Sequence, residues 1–168
     1  MPKKYAIPTF LSGIVSQEAY ERWLRRKAQT HIRRDRKRGN TAAIGQSYRE
    51  AIHSAVVESA GLDAYTGEVL DWNLISQYDN DESKENSRQY KHSFALLPTA
   101  DHVGNGMGAA NFKICGWRTN DAKNDLEISE FLTVCAAVLK HHGYVICNSG
   151  SPIMRVGLAE KNTRGRSK

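Results

Sequence analysis

Between Ser16 and Arg38 an apolar residue returns at every fourth position, Tyr20, Leu24, Ala28 and Ile32, with Trp23 beside them. That period is one face of an α-helix. Ser16 is a suitable N-cap and Gly39-Asn40 a stop. The stripe needs a core to lie on, and the remaining faces are filled with arginine. Residues 16 to 40 hold nine basic side chains and three acidic ones, while the rest of the chain is balanced at fifteen of each, so the net charge of +6 belongs to this one helix. A charge excess gathered on one element points to a polyanionic partner, where each neutralised phosphate releases counterions. The plainer reading is a solvated face that keeps the helix soluble.

A second stripe, Ile44, Tyr48, Ile52 and Val56, predicts a helix from about Ala43 to Ala60 that Gly61 ends at its C′ position. It reads as core, with His53 at its edge. The period then changes. Tyr65-Thr66-Gly67-Glu68 reads as a tight turn between short extended segments, and 77 to 90 as a polar surface loop. Phe94 to Leu97 reads as a short strand ended by Pro98, followed by a glycine-rich loop from Gly104 to Gly108 and a second strand around Phe112 to Cys115. A short helix is expected from Arg118. A longer one is expected from about Ser129 to His141, starting without a strict capping box, with Phe131, Leu132, Cys135, Val138 and Leu139 facing inward. Trp72 and Trp117 are expected in the core. His92 reads as a surface residue and His141-His142 as a helix-closing pair. Lys161 to Lys168 reads as a basic tail.

Composition narrows the class. With 168 residues and 40% apolar side chains the chain can bury one core. No apolar run approaches the roughly 20 residues needed to span a bilayer, and the N-terminus lacks a signal-peptide core, so no membrane partner and a cytoplasmic location are expected. Cys115, Cys135 and Cys147 are odd in number, with no C-x-x-C pair. That favours buried thiols over a disulfide framework or a four-cysteine zinc site.

The chemistry sits between residues 97 and 123. Phosphodiester hydrolysis needs an activated water, a base and a means to hold developing negative charge. A histidine is the natural base near neutral pH, and a hard cation held by a carboxylate and an amide oxygen can stabilise the charge. Asp101 and His102 are adjacent on an extended segment and so point to opposite sides. As an isolated dipeptide they would mean little.

The order of parts carries more: Asp101-His102, the glycine loop, Asn111-Phe112-Lys113-Ile114-Cys115, then Asn120-Asp121-Ala122-Lys123. This resembles the HNH endonucleases, or ββα-metal nucleases, over residues 64 to 126 and less securely to 141, with Tyr65-Thr66-Gly67 in the place of the family's first hairpin. The resemblance implies an α+β fold: a ββα-metal core of a short antiparallel hairpin and helix, packed with additional N-terminal and C-terminal helices. It implies a helical region 1–62 with the basic helix at 16–38, a nuclease core at 63–142 and a C-terminal extension at 143–168.

It further implies Asp101 and Asn120 as metal ligands, His102 as the general base, Asn111 as the brace of the His-bearing strand, and Lys123 as a phosphate contact or a support of the fold. Mg²⁺ is the expected ion, with Mn²⁺ as alternative. A structural zinc is not expected, because Ala64, Thr66 and Arg118 stand near the places where zinc-stapled members carry cysteines. Asp121, Asn124 and Asp125 are neighbours able to share coordination with Asn120. The implied activity is hydrolysis of DNA, double-stranded, of a restriction, phage-defence or mobile-element kind. Arg22, Arg25, Arg26, Arg33, Arg34, Arg36, Lys37, Arg38 and Arg118 are the expected DNA contacts. A homodimer is one way for a single site per chain to cut both strands. The alternatives are a non-cleaving nucleic-acid-binding protein with this fold and an RNA-directed nuclease.

Overall fold

Helix α1, Gln17–Lys37, follows Ser16, whose hydroxyl accepts the Ala19 N–H at 3.1 Å. This computed structural model describes residues 4–85, 87–145 and 154–155. Tyr20, Trp23, Leu24, Ala28 and Ile32 are buried along one side of the helix, as the four-residue repeat requires, and His31 and Asp35 extend that line with polar groups. Helix α2, Gly45–Ser59, packs on α1 and buries Tyr48, Ile52, Ala55 and Val56. It ends with Ala60 as C-cap, left-handed at φ 48°, and Gly61 follows at the C′ position with φ 88°, as expected.

Residues 62 to 69 form a turn closed by a bridge between Leu62 and Val69. The Asp63 carboxylate organises it, accepting the N–H groups of Tyr65 at 2.8 Å and Thr66 at 3.1 Å through one oxygen and that of Gly116 at 2.8 Å through the other. A 3₁₀ turn, Trp72–Ser76, then buries Trp72 as expected.

The segment expected to be a polar loop is largely helical: α3 is Asn80–Glu85 and α4 is Ser87–Ser93. Polarity misled here because two aromatics decide the conformation. Tyr90 stacks on Phe94 with ring centroids 4.3 Å apart, Tyr78 closes on both, and Asp79 accepts the Asp81 and Glu82 N–H groups at the start of α3. Phe94 to Leu97 is likewise a turn leaving α4, with the Leu97 N–H bonded to the Phe94 carbonyl at 3.0 Å, and not a strand.

Strand β1 is Pro98–His102 and pairs antiparallel with β2, Phe112–Gly116, in the register Pro98–Gly116 to His102–Phe112. Proline at the first position of a strand forfeits no ladder bond. All five residues of β1 are buried, although only Ala100 among the last four is apolar, so no alternation marks it in the sequence. Helix α5, Trp117–Lys123, leaves β2 directly. Gly116 fits there because a Cβ would lie 3.0 Å from the Ala95 carbonyl oxygen. The order strand, strand, helix at residues 98 to 123 makes the chain α+β, and α1 and α2 cover the hairpin.

The chain divides into compact units 1–124 and 125–168, whereas the sequence reading placed breaks at 62 and 142. The N-terminal helices share one core with the hairpin, so no boundary falls between them. In the second unit, α6, Ile128–His141, is capped by a reciprocal pair in which Glu127 and Glu130 each accept the other's backbone N–H, so a capping box does start this helix. It carries no buried residue, and Leu132 and Val138 are exposed at 58% and 53%, against the expected inward face. Two short strands, β3 (Tyr144–Val145) and β4 (Met154–Arg155), pair antiparallel. Cys147 and the basic tail lie outside the described residues. Among the described residues no helix is long and apolar enough to cross a membrane.

Candidate functional site

Strand geometry sends Asp101 and His102 to opposite sides of β1. Asp101 faces the 62–69 turn and the end of α5. Its Oδ2 accepts the Tyr65 hydroxyl at 2.5 Å and lies 3.0 Å from the Lys123 ammonium, with both side chains of that ion pair 8% exposed. Lys123 therefore stands on the carboxylate. Tyr65, from the Tyr-Thr-Gly turn, supplies a second donor. Burial, together with the bond to Asp101, pushes the Tyr65 phenol well above its usual range, which keeps it a donor.

His102 faces α1 and α2, with its side chain only 2% exposed. Its Nδ1 is 3.1 Å from the Val103 carbonyl, which can only accept, so Nδ1 carries the proton there. Its Nε2 lies 3.2 Å from Asp35 Oδ2 without a hydrogen bond between them. The same Asp35 oxygen accepts the Tyr48 hydroxyl at 2.7 Å. Asp35 is fully buried, and its other oxygen, 3.7 Å from Arg34 Nε, has no hydrogen-bond partner among the described residues. Burial, then this bond, pushes the Tyr48 hydroxyl up to about 12. Phe112 lies edge-on to His102 at 4.9 Å.

The glycine loop crosses this cluster. Gly106 has φ +78°, and a Cβ on it would stand 2.5 Å from Asp35 Oδ1. Asn40, at the end of α1, donates to the Gly106 carbonyl at 2.8 Å. Nearby, His31 donates from Nε2 to the Ala100 carbonyl at 3.0 Å, which fixes its tautomer and leaves Nδ1 a buried acceptor with no partner among the described residues. Burial, with Arg34 beside it, lowers the His31 pKa to about 4.

The remaining expected residues separate into two groups. Asn111 contributes through its backbone: its carbonyl accepts the Val103 N–H at 3.0 Å and closes the hairpin, while its side chain is exposed and makes no hydrogen bond among the described residues. It braces the His-bearing strand with its main chain and not with the amide that the resemblance implied. Arg118 is exposed and donates to both Glu68 carboxylate oxygens at 2.7 and 2.6 Å. Arg36 donates twice to the Ala43 carbonyl.

Asn120 and the basic helix share a groove of 500 Å³. Arg26, Lys27, Arg33 and Arg34 line one side, Thr99 and Ala100 of β1 lie in it, and Trp117 and Asn120 of α5 form the other side. No acidic residue lines it. Arg22, Arg25, Arg33, Lys37 and Arg38 are exposed along α1. Among the described residues no group of three or more His, Cys, Asp or Glu side chains is placed to hold a metal ion.

Lys27, Asp35, Tyr48 and Tyr65 were not singled out from the sequence. Asp35 carried a signal: it falls seven residues after Ala28 and four after His31, on the apolar side of the helix. Tyr65 and Tyr48 gave none, because their hydroxyl partners lie 36 and 13 residues away. Compared with family profiles, with characterised proteins and with solved structures, the chain matches none.

Proposed function

We propose that this chain is a metal-dependent endonuclease of the ββα type, acting on the phosphodiester backbone of DNA. The observation that carries the reading is a juxtaposition. The hairpin–helix unit bearing Asp101, His102 and Asn120 abuts a groove whose ionised side chains, Arg26, Lys27, Arg33 and Arg34, are all cationic. A polyanion is drawn to such a groove, and a strand seated there lies against β1 and α5.

The donor chemistry suits a hard divalent ion: Asp101 and Asn120 would hold it through a carboxylate and an amide oxygen. When bound, the ion would supply charge stabilisation at the phosphate and the leaving oxygen. Lys123 already pairs with Asp101, so ion and ammonium share that carboxylate or exchange on it. His102 takes the proton from the attacking water. Its Nδ1 is held by the Val103 carbonyl and its Nε2 is the nitrogen left for proton transfer. Because Asp35 faces Nε2 in the described state, that contact opens before water reaches it.

A second reading has its own observation. Asp101 is buried in an ion pair with Lys123, and His102 is buried with its Nε2 3.2 Å from the Asp35 carboxylate, as in a nucleic-acid-binding protein that keeps the fold without cutting.

Plasmid nicking with Mg²⁺ and with EDTA separates the two. The nuclease reading expects metal-dependent nicking that His102→Ala abolishes while DNA binding persists. Binding without cleavage across several DNA substrates, or full activity in His102→Ala, would overturn it. An RNA substrate in the same assay tests the remaining alternative.

A further inference from the structure

Lys27 is the unusual cation of α1. Its side chain is half-buried, and its ammonium donates to the Thr99 hydroxyl at 2.7 Å, its one hydrogen bond among the described residues. Burial, with Arg26 adding to it, lowers its pKa to about 8. An ammonium drawn partly out of water is normally held by a carboxylate, because desolvating it without a counter-charge is costly. Here no carboxylate is offered: the groove is lined without an acidic residue. Arg34, which also lines the groove, keeps its Nε 3.7 Å from Asp35 Oδ1, whereas Lys27 has no such carboxylate among the described residues. The cavity, 500 Å³, has the volume of a small-ligand pocket and not of a duplex. Trp117 and Tyr78 stand in it beside the cations, and aromatic faces next to cationic side chains are what an unpaired nucleotide uses for its base and its phosphate.

We infer that Lys27 and Thr99 form a subsite for one phosphate of a nucleic-acid strand, the groove taking a single unpaired nucleotide unit with its base toward Trp117. This rests on the proposed nucleic-acid function and extends it, since it names the part of the substrate that this groove holds. The phosphate supplies the counter-charge that the fold withholds from Lys27, and Thr99 holds the ammonium in position until it arrives.

The test is binding in EDTA, where no metal-dependent cleavage occurs, of a short fluorescently labelled single strand. Wild type, Lys27→Gln and Lys27→Arg are compared, each first shown to be folded by its thermal melt. Lys27→Gln should lose on the order of tenfold in affinity, the size of one charged hydrogen bond. Its salt slope should fall by about 0.7, one single-strand phosphate contact. Lys27→Arg should keep both. A methylphosphonate strand, neutral but otherwise alike, should bind wild type and Lys27→Gln equally. A duplex of the same sequence should lose nothing with Lys27→Gln, and inorganic phosphate should compete only weakly. Lys27→Gln within twofold of wild type at an unchanged salt slope would overturn the subsite. Competition by inorganic phosphate as strong as by the strand would reassign it to free phosphate.

Should Lys27→Gln fail to fold, wild type and Lys27→Arg decide by pH. Wild-type affinity should hold below about 8, the pKa of free Lys27, and fall above it, while Lys27→Arg stays level. Level affinity in the wild type would overturn the subsite. The groups facing Lys27 do not titrate across that range: Arg26 stays charged, His31 is already neutral with its pKa at about 4, and burial pushes the Cys115 thiol on β2 up. Plasmid nicking runs in parallel. Loss of binding in Lys27→Gln without any cleavage by wild type leaves the subsite standing and removes the nuclease. Cleavage with unaltered Lys27→Gln binding does the reverse.

Discussion

The side chains that most constrain this protein are polar and buried. Asp35 sits at zero exposure among Tyr48, His102 and the backbone of the glycine loop. Its position is the reason residue 106 is glycine. Adding a methyl group there places a Cβ 2.5 Å from Asp35 Oδ1 at φ +78°. Gly106→Ala should therefore cost about 2 kcal/mol or more, from the left-handed backbone and from a carboxylate that cannot retreat without losing its partners. Urea unfolding measures it, and a loss of only a few tenths would mean that the loop moves freely away from Asp35. His31 makes a pH prediction. It is neutral in the fold, with a pKa of about 4 against 6.5 in an exposed chain, because burial and Arg34 oppose its charge. Below 6.5 the unfolded chain binds a proton that the folded one does not. Stability from this residue is thus complete above 6.5 and lost as pH falls toward 4, by about 3 kcal/mol over that window. His31→Gln should flatten the unfolding free energy between those pH values, and equal slopes for the two proteins would count against a neutral buried His31.

Helix α1 presents two faces, one apolar and one basic, and they can be tested separately. Tyr20, Trp23, Leu24, Ala28, Ile32 and Asp35 belong to the core, and Arg36 is tied to the Ala43 carbonyl at 2.8 and 3.1 Å. Arg22, Arg25, Arg33 and Lys37 are exposed. Changing those four to alanine should leave the melting midpoint within a few degrees, as surface substitutions do. It should flatten the salt dependence of duplex DNA binding by up to about 0.9 per phosphate contact removed. An unchanged salt slope would return the exposed arginines to the role of keeping a helix soluble. Element boundaries were legible where a repeat was long: α1, α2 and α6 fall within two residues of the period-based expectation. They were illegible around 77 to 102, where the run Phe94 to Leu97 looks like a strand because it is apolar, and the true strand, Pro98 to His102, does not because it carries polar groups buried by partners from elsewhere.

Among the described residues the buried apolar side chains form one core that runs from Leu11 to Cys115. Everything that holds the candidate site therefore lies in unit 1–124. A fragment ending at Asn124 should unfold cooperatively, with a melting midpoint close to that of the full chain, and should keep its affinity for a single-stranded oligonucleotide. A broad, non-cooperative melt would show that residues after 124 are needed for the core. The hairpin is held by α1 and α2, which cover it, with Trp23 donating to the Pro98 carbonyl at 3.3 Å and Phe112 packed against His31 and Tyr48.

By itself the sequence determined the amphipathic helices, the gathering of the net charge on α1, and the order Asp101-His102, glycine loop, Asn111, Asn120 and Lys123. Each of these is a local repeat or a run of neighbours, and periodicity and spacing are properties of the linear chain. The pairings were decided only in three dimensions. Lys123 and Tyr65 meet on Asp101 from opposite sides in sequence, Asp35 comes from α1 to face His102, and Lys27 crosses 72 residues to reach Thr99. Such contacts depend on which faces the packed core leaves against one another. A buried charge finds its partner, or lacks one, only after the core has closed.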